Sequence, residues 1–323
     1  MRKLIKKHFF SLIIALIVGL LFLTNYRPGT FLSGWDNLQT ELYPWLAVKR
    51  AFWGVWQEYQ SFGLTAGMGH AADLVRAVFL WLVSFVLPTS LIRYFFHFLM
   101  VLVGGWGMFR LLKLTGFEEE KEKLAFLGAL FYLLNFGTLQ IMFLPFESFS
   151  VFLGFLPWEI WIFLKIIDDQ KREKKDWWLF FLINFLATPQ GVSQQLFLVY
   201  LLILGLIAFS VLLKKIGWLT VKRLIAPIFM VLAINSFWLL PQLYFLKTSG
   251  SVVKEAKINQ LATEDLFYSN LEKGNLKDFF LMQGFFYDRL DKNNQPLFAA
   301  WKTYRESLPI SILIYFLGLV VVL

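Results

Sequence analysis

The feature that most constrains this 323-residue chain is the recurrence of long apolar runs, at about 9–23, 91–112, 124–140, 149–167, 177–186, 196–213, 224–246 and 308–323. About 20 apolar residues in a helix, rising about 1.5 Å each, cross the ~30 Å hydrocarbon core of a bilayer. Repeated runs of this kind predict an all-α integral membrane protein, a polytopic bundle of about eight spans in contact with lipid. Composition agrees: 58% of residues are hydrophobic and 16% charged, where a soluble domain carries about a quarter charged. The run at 177–186 is short and ends at Ala187-Thr188-Pro189-Gln190-Gly191. That predicts a broken or thin helix, tolerable only where protein or water covers the freed backbone.

The net charge of +9 is not gathered into one stripe, which argues against nucleic acid as a partner. Arg110, Lys113, Lys121 and Lys123 follow the second run. Lys171, Arg172, Lys174 and Lys175 follow the fourth, and Lys214, Lys215, Lys222 and Arg223 the sixth. The alternate connections, 141–148 and 187–195, contain no lysine or arginine. Basic loops stay in the cytoplasm, so the N-terminus, with Arg2, Lys3, Lys6 and Lys7, is expected there too. Thr24-Asn25-Tyr26-Arg27-Pro28 supplies no small-residue cleavage site, so the first run reads as an uncleaved helix. Two long segments, 24–90 and 247–306, then fall on the outer side.

The expected organisation is a bundle over 1–246 that includes the outer loop 24–90, an outer-side region 247–306, and a last helix 307–323. The chain stops within the apolar stretch 319–323 and is expected to be truncated. With no cysteine, a disulfide framework, a thiolate metal site and a cysteine nucleophile are excluded. His8, His70 and His97 are too scattered for a histidine metal cage. No Walker loop, G-x-S-x-G or H-E-x-x-H pattern occurs.

The first outer loop holds most of the candidate chemistry. A turn at Arg27-Pro28-Gly29-Thr30 precedes Gly34-Trp35-Asp36, and a helix is predicted over 43–57, dense in Trp45, Trp53 and Trp56. Aromatics with a few cations suit a helix lying along the membrane surface. A glycine-rich bend follows at 63–70, then an apolar stretch 77–87 too short to cross, ending at Pro88. Asp36 is expected at the outer boundary, where partial desolvation raises a carboxylate's basicity. It is either a base or cation ligand, or the cap of an Asx turn. Glu41 has the same two readings, or simply faces water. His70 is a general base, a phosphate contact or a solvated loop residue.

Arg93 and His97, four apart, share a helix face. Together they suit a lipid-linked phosphate, or they are a snorkelling arginine beside a packed histidine. Glu147 is expected at the depth of Asp36, and Glu159 deep within its span, where an acid needs a cavity or a partner. Gln190 and Gln194 are placed at the outer mouth, to contact a sugar or to bond helix to helix.

The arrangement resembles the GT-C class of membrane glycosyltransferases, and most nearly the bacterial arabinofuranosyltransferase type. The resemblance rests on Gly34-Trp35-Asp36, on the segment 63–73 leading to Leu87-Pro88 and Arg93, on Ala129-Leu130-Phe131-Tyr132-Leu133-Leu134-Asn135, and on Asn235-Ser236-Phe237-Trp238-Leu239-Leu240-Pro241. It implies a polyprenyl-phosphate sugar donor, an envelope glycan or glycoconjugate acceptor, and a site on the outer face of a multi-pass cell-membrane protein. It also implies a catalytic acid in the first loop, at Asp36. Paired acids are common in the class, but here the next is Glu41, which leaves a divalent cation (Mg or Mn) open. The expected mechanism is inverting transfer, with Asp36 as base, Glu147 assisting, and Arg93, His97 or Arg76 at the departing phosphate. The rival readings are a transporter or flippase for a lipid-linked glycan, motivated by Glu159, and a non-catalytic envelope-assembly protein.

Overall fold

The computed structural model describes residues 2–33, 39–57, 64–65, 69–115, 121–135, 137–138, 141, 146–168, 172–214 and 217–257, and scattered positions from 264 to 316. Two compact units divide the chain. The first comprises Met1–Leu133 and Ile141–Thr248, the second Leu134–Gln140 and Ser249–Leu323. In the second, the Asn135 side chain accepts from the Thr138 backbone N–H at 3.0 Å and donates to its hydroxyl at 3.2 Å, closing a short turn. The candidate site lies wholly in the first.

The regular structure among the described residues is helical apart from one isolated bridge and a two-residue antiparallel ladder, Trp56 opposite Thr65 and Gln57 opposite Leu64. The helices are α1 (Arg2–Asn25), α2 (Pro44–Phe52), α3 (Leu74–Val83), α4 (Thr89–Thr115), α5 (Lys121–Leu134), α6 (Glu147–Ile167), α7 (Lys174–Leu186), α8 (Gln194–Lys214) and α9 (Trp218–Glu255). Five of them, α1, α4, α6, α8 and α9, are long and apolar enough to cross a membrane. Their outward faces are greasy: Leu16, Leu198 and Phe229 are all exposed. Such surfaces fit a membrane-embedded protein.

Sequence runs and helices differ most at α5, α7 and α9, the last (Trp218–Glu255) extending beyond the run 224–246 at both ends. The run at 124–140 gives a 14-residue α5, and the run at 177–186 a 13-residue α7. Neither spans ~30 Å as a continuous helix, since 14 residues rise about 21 Å. Most of 308–323 lies outside the described residues.

Helix α4 is the hub. It starts directly after Pro88, whose fixed φ suits the entry to a helix. Its glycines let neighbours approach. A Cβ on Gly104 would sit 2.6 Å from the Leu153 carbonyl oxygen of α6, and one on Gly107 2.5 Å from the Trp158 ring. Opposite them, Gly105 meets Ile14 of α1 and Leu133 of α5. Small residues at such crossings substitute for a hydrophobic drive that lipid does not supply.

The segment between α1 and α4 packs back on this bundle. After α2 and the ladder, a 3-10 turn at His70–Asp73 packs on a second one, Thr188–Val192, which continues α7. Gly69 and Gly191 make the fit: a Cβ on Gly69 would strike the Gly191 carbonyl, and one on Gly191 would lie 2.5 Å from Trp238. The break expected after the fifth run is seen as the 3-10 turn Thr188–Val192, and protein covers it through Gly69 and Trp238.

Candidate functional site

Three elements of the segment between α1 and α4, together with α4 and α6, converge on a buried charged cluster. Asp73 and Arg76 stand three apart, so they share one face where the 3-10 turn enters α3. Arg76 Nε and Nη2 each donate to the Asp73 carboxylate at 2.6 Å, a bidentate pair. The first turn of α4 contributes Arg93. Its Nε donates to Glu41 Oε1 at 2.6 Å, and its Nη2 lies 3.0 Å from both Glu41 Oε2 and Glu147 Oε1. Glu147 opens α6, where the helix dipole favours a carboxylate. Thr40 links the two pairs, accepting from Arg76 Nη1 at 3.4 Å and donating to Glu41 Oε2 at 3.5 Å. Gln39 adopts the left-handed conformation (φ 46°), and the chain enters the turn carrying Thr40 and Glu41 from it.

His97, one turn after Arg93, bonds the Ser150 hydroxyl through Nδ1 at 2.8 Å. Glu41, Arg76, Arg93, His97, Glu147 and Ser150 surround a cavity of about 10 Å³, room for about one water. Arg93 Nη1 and His97 Nε2 are buried with no hydrogen-bond partner among the described residues.

Two larger cavities flank the cluster. One of about 310 Å³ has a mixed wall, with Thr40, Arg50, His70 and Asp73 beside apolar residues such as Leu42 and Leu46. An apolar one of about 220 Å³ is lined by Phe79, Phe96, Leu99, Met100 and Phe155, with Arg76 at its edge. The Asp73–Arg76 pair is shared between the two: its acid lines the mixed cavity and its base the apolar one.

The electrostatics follow from burial. Desolvation lowers the His70 imidazole below its ordinary value; Asp73 opposes this and Arg50 adds to it. His70 is therefore neutral at pH 7. Burial raises the Asp73 carboxyl, and the bidentate Arg76 pulls it back. For Arg76 the burial penalty is outweighed by Asp73, Glu147 and Glu41, which hold it firmly charged. Three carboxylates against two guanidiniums leave the cluster at one formal negative charge.

That balance changes the roles expected from the sequence. Glu41 does not face water; it is buried and spends both oxygens on Arg93. Arg93 and Arg76 are engaged by the protein's own acids, so their charge is largely used before any phosphate arrives. The expected nearness of Glu147, Arg93 and His97 is seen, and Glu41 and Arg76 join them. His70 lines the neighbouring mixed cavity. Gln190 is not at an open mouth. It is buried and donates to Glu159 Oε1 at 2.9 Å. Gln194 begins α8 with a buried Nε2 that has no partner among the described residues. Asp36, with Gly34 and Trp35, lies outside the described residues. Among the described residues no three His, Asp or Glu side chains converge as metal ligands.

Asp73, Arg50 and Thr40 escape the sequence reading. The signal for Asp73 is its spacing from Arg76, two opposite charges three apart at the start of an apolar stretch. Comparison with protein-family models, with curated proteins and with solved structures finds no match. The functional reading therefore rests on geometry and chemistry.

Proposed function

We propose that this chain is a GT-C-like membrane glycosyltransferase with a cytoplasmic N-terminus, moving a sugar from a polyprenyl-phosphate carrier to an envelope glycan at the outer membrane face. One observation carries the reading: the two partners of one buried ion pair, Asp73–Arg76, line two different cavities, one with Arg50, His70 and Thr40 in its wall and one apolar. A lipid-linked sugar is amphiphilic in the same sense. Its isoprenoid chain fits the groove of Phe79, Phe96 and Phe155, and its sugar and phosphate fit the cavity of Arg50, His70 and Asp73.

In the proposed reaction a carboxylate accepts the proton of the acceptor hydroxyl. The oxygen then bonds to the anomeric carbon as the bond from that carbon to the phosphate oxygen breaks. The phosphate leaves with the electron pair, and configuration inverts. Asp36 is the proposed base. Asp73 orients the acceptor from the cavity wall. Arg50 supplies positive charge where the phosphate departs, since stabilising developing charge is the largest lever an enzyme has. Glu41, Arg93 and Glu147 hold the loop against α4 and α6. The test is transfer from labelled polyprenyl-phosphate sugars in membranes. Loss of transfer in Asp36→Asn with an unchanged melting temperature is expected; full activity in that variant contradicts the mechanism.

A second reading, transport of a lipid-linked glycan, draws on Glu159. It is fully buried within α6, bonded to Gln190, with Oε2 unpartnered among the described residues. Proton-coupled uptake lost in Glu159→Gln, with no sugar transfer, would establish it instead.

A further inference from the structure

The far end of the same helices carries a second charged cavity. Arg110 follows Arg93 by 17 positions on α4. At about 1.5 Å per residue that is about 26 Å, close to one hydrocarbon thickness. The two arginines thus mark opposite ends of the membrane-embedded part of α4. At the Arg110 end, side chains from α1, α4, α5 and α6 enclose an open cavity of about 790 Å³, lined by Trp106, Arg110, Lys113, Trp158, Trp161 and Lys165 among others.

Its wall is aromatic and fixed. Trp158 Nε1 donates to the Val103 carbonyl at 2.8 Å and Trp106 Nε1 to the Ser11 carbonyl at 3.0 Å. The Arg110 guanidinium rests 4.8 Å from the Trp161 ring centre and 5.9 Å from that of Trp158. The three cations are not equivalent. Lys113 pairs with Glu122, and Lys165 with Asp176 at 2.7 Å. Arg110 is exposed and has no carboxylate at ion-pair distance among the described residues. A dipole-complementing cation in a last turn needs no such setting. A guanidinium held on two rings beside an open cavity presents a planar fork that matches phosphate oxygens.

We propose that this cavity binds a phosphate anion at the membrane surface opposite the candidate site, with Arg110 as its principal ligand. Two sources offer that chemistry: the headgroup of an anionic phospholipid and a soluble phosphate. Basic pockets between spanning helices take lipid headgroups, and tryptophan concentrates at the headgroup level. The site stands whether or not the chain transfers sugar.

The experiment is native mass spectrometry of the full chain from micelles containing equal phosphatidylglycerol and phosphatidylcholine, with and without millimolar inorganic phosphate. Preferential retention of phosphatidylglycerol is expected. It should fall about five-fold in Arg110→Ala, the worth of one cation at a lipid surface, and stay unchanged in Lys174→Ala, an exposed cation outside the cavity. Phosphate adducts lost in Arg110→Ala, with no lipid preference, assign the site to a soluble phosphate. Equal binding in wild type and Arg110→Ala, or an equal fall in Lys174→Ala, overturns the proposal. Arg110→Gln, which keeps the stem packed on the rings, reports the same quantity should the alanine variant fail to fold.

Discussion

At the residue scale the account turns on charges that serve one another. Arg93 holds Glu41 and Glu147 at once, joining the turn that carries Glu41 to α4 and α6. Removing one partner of a buried ion pair leaves an uncompensated charge and costs about 3–5 kcal/mol. Glu41→Ala should therefore lower the melting temperature in detergent more than any exposed substitution, and unchanged melting would show that the pair does not anchor the loop. His70 gives a pH signature. Its folded-state value lies below the ordinary 6.5, so above pH 6.5 it is neutral in folded and unfolded chains alike. Below that, the unfolded chain takes a proton the folded chain resists, and stability falls as the pH drops. The melting temperature should decline from pH 6.5 downward, and His70→Gln should flatten that slope.

These residues were unequally legible in the sequence. Arg93, His97 and Glu147 stand out because a charge at the edge of an apolar run is conspicuous. Asp73 does not, because it ends a glycine-rich segment that reads as a bend. Glu41 is visible as an acid, but nothing local shows that an arginine 52 positions away will cover it.

At the element scale the decisive contacts are close backbone approaches. Gly104→Val would force α4 from α6, since even a Cβ meets the Leu153 carbonyl at 2.6 Å. Overpacking of this kind costs about 1–3 kcal/mol, and a melting temperature equal to wild type would mean that the crossing is looser than described. Gly69→Ala works differently. It should detach the loop turn from Thr188–Val192 and abolish function with a smaller loss of stability, read as a transfer defect in membranes. Long apolar runs predict α4, α6 and α8 to within a few residues because nothing competes with helix there. The short α7 and its 3-10 continuation were legible as a break, from Thr188-Pro189 and Gly191. Their cover by Gly69 was not, because it pairs segments more than a hundred positions apart.

At the scale of the whole molecule, one bundle carries polar chemistry at one end and a basic aromatic cavity at the other. The apolar runs make the membrane-embedded helical character legible, while the number of crossings depends on lengths the runs do not set: α5 stops short of its run, and α7 starts before its run yet reaches only 13 residues. The proposed orientation is open to a clean test, because the chain contains no cysteine. Val86→Cys, highly exposed between α3 and α4, should react with an impermeant maleimide on intact cells. Arg172→Cys should react only after permeabilisation, and the reverse pattern would invert the topology.

The central claim is that a lipid carrier's chain occupies the apolar groove while its headgroup occupies the mixed cavity. Photocrosslinking with a polyprenyl-phosphate sugar bearing a diazirine in its first isoprene units tests it most directly. The account predicts adducts on peptides containing Phe79, Phe96 or Phe155, competed by unlabelled polyprenyl phosphate and lost when Met100→Trp fills the groove. Adducts spread over the lipid-facing sides of α8 and α9, or uncompeted labelling, would contradict it.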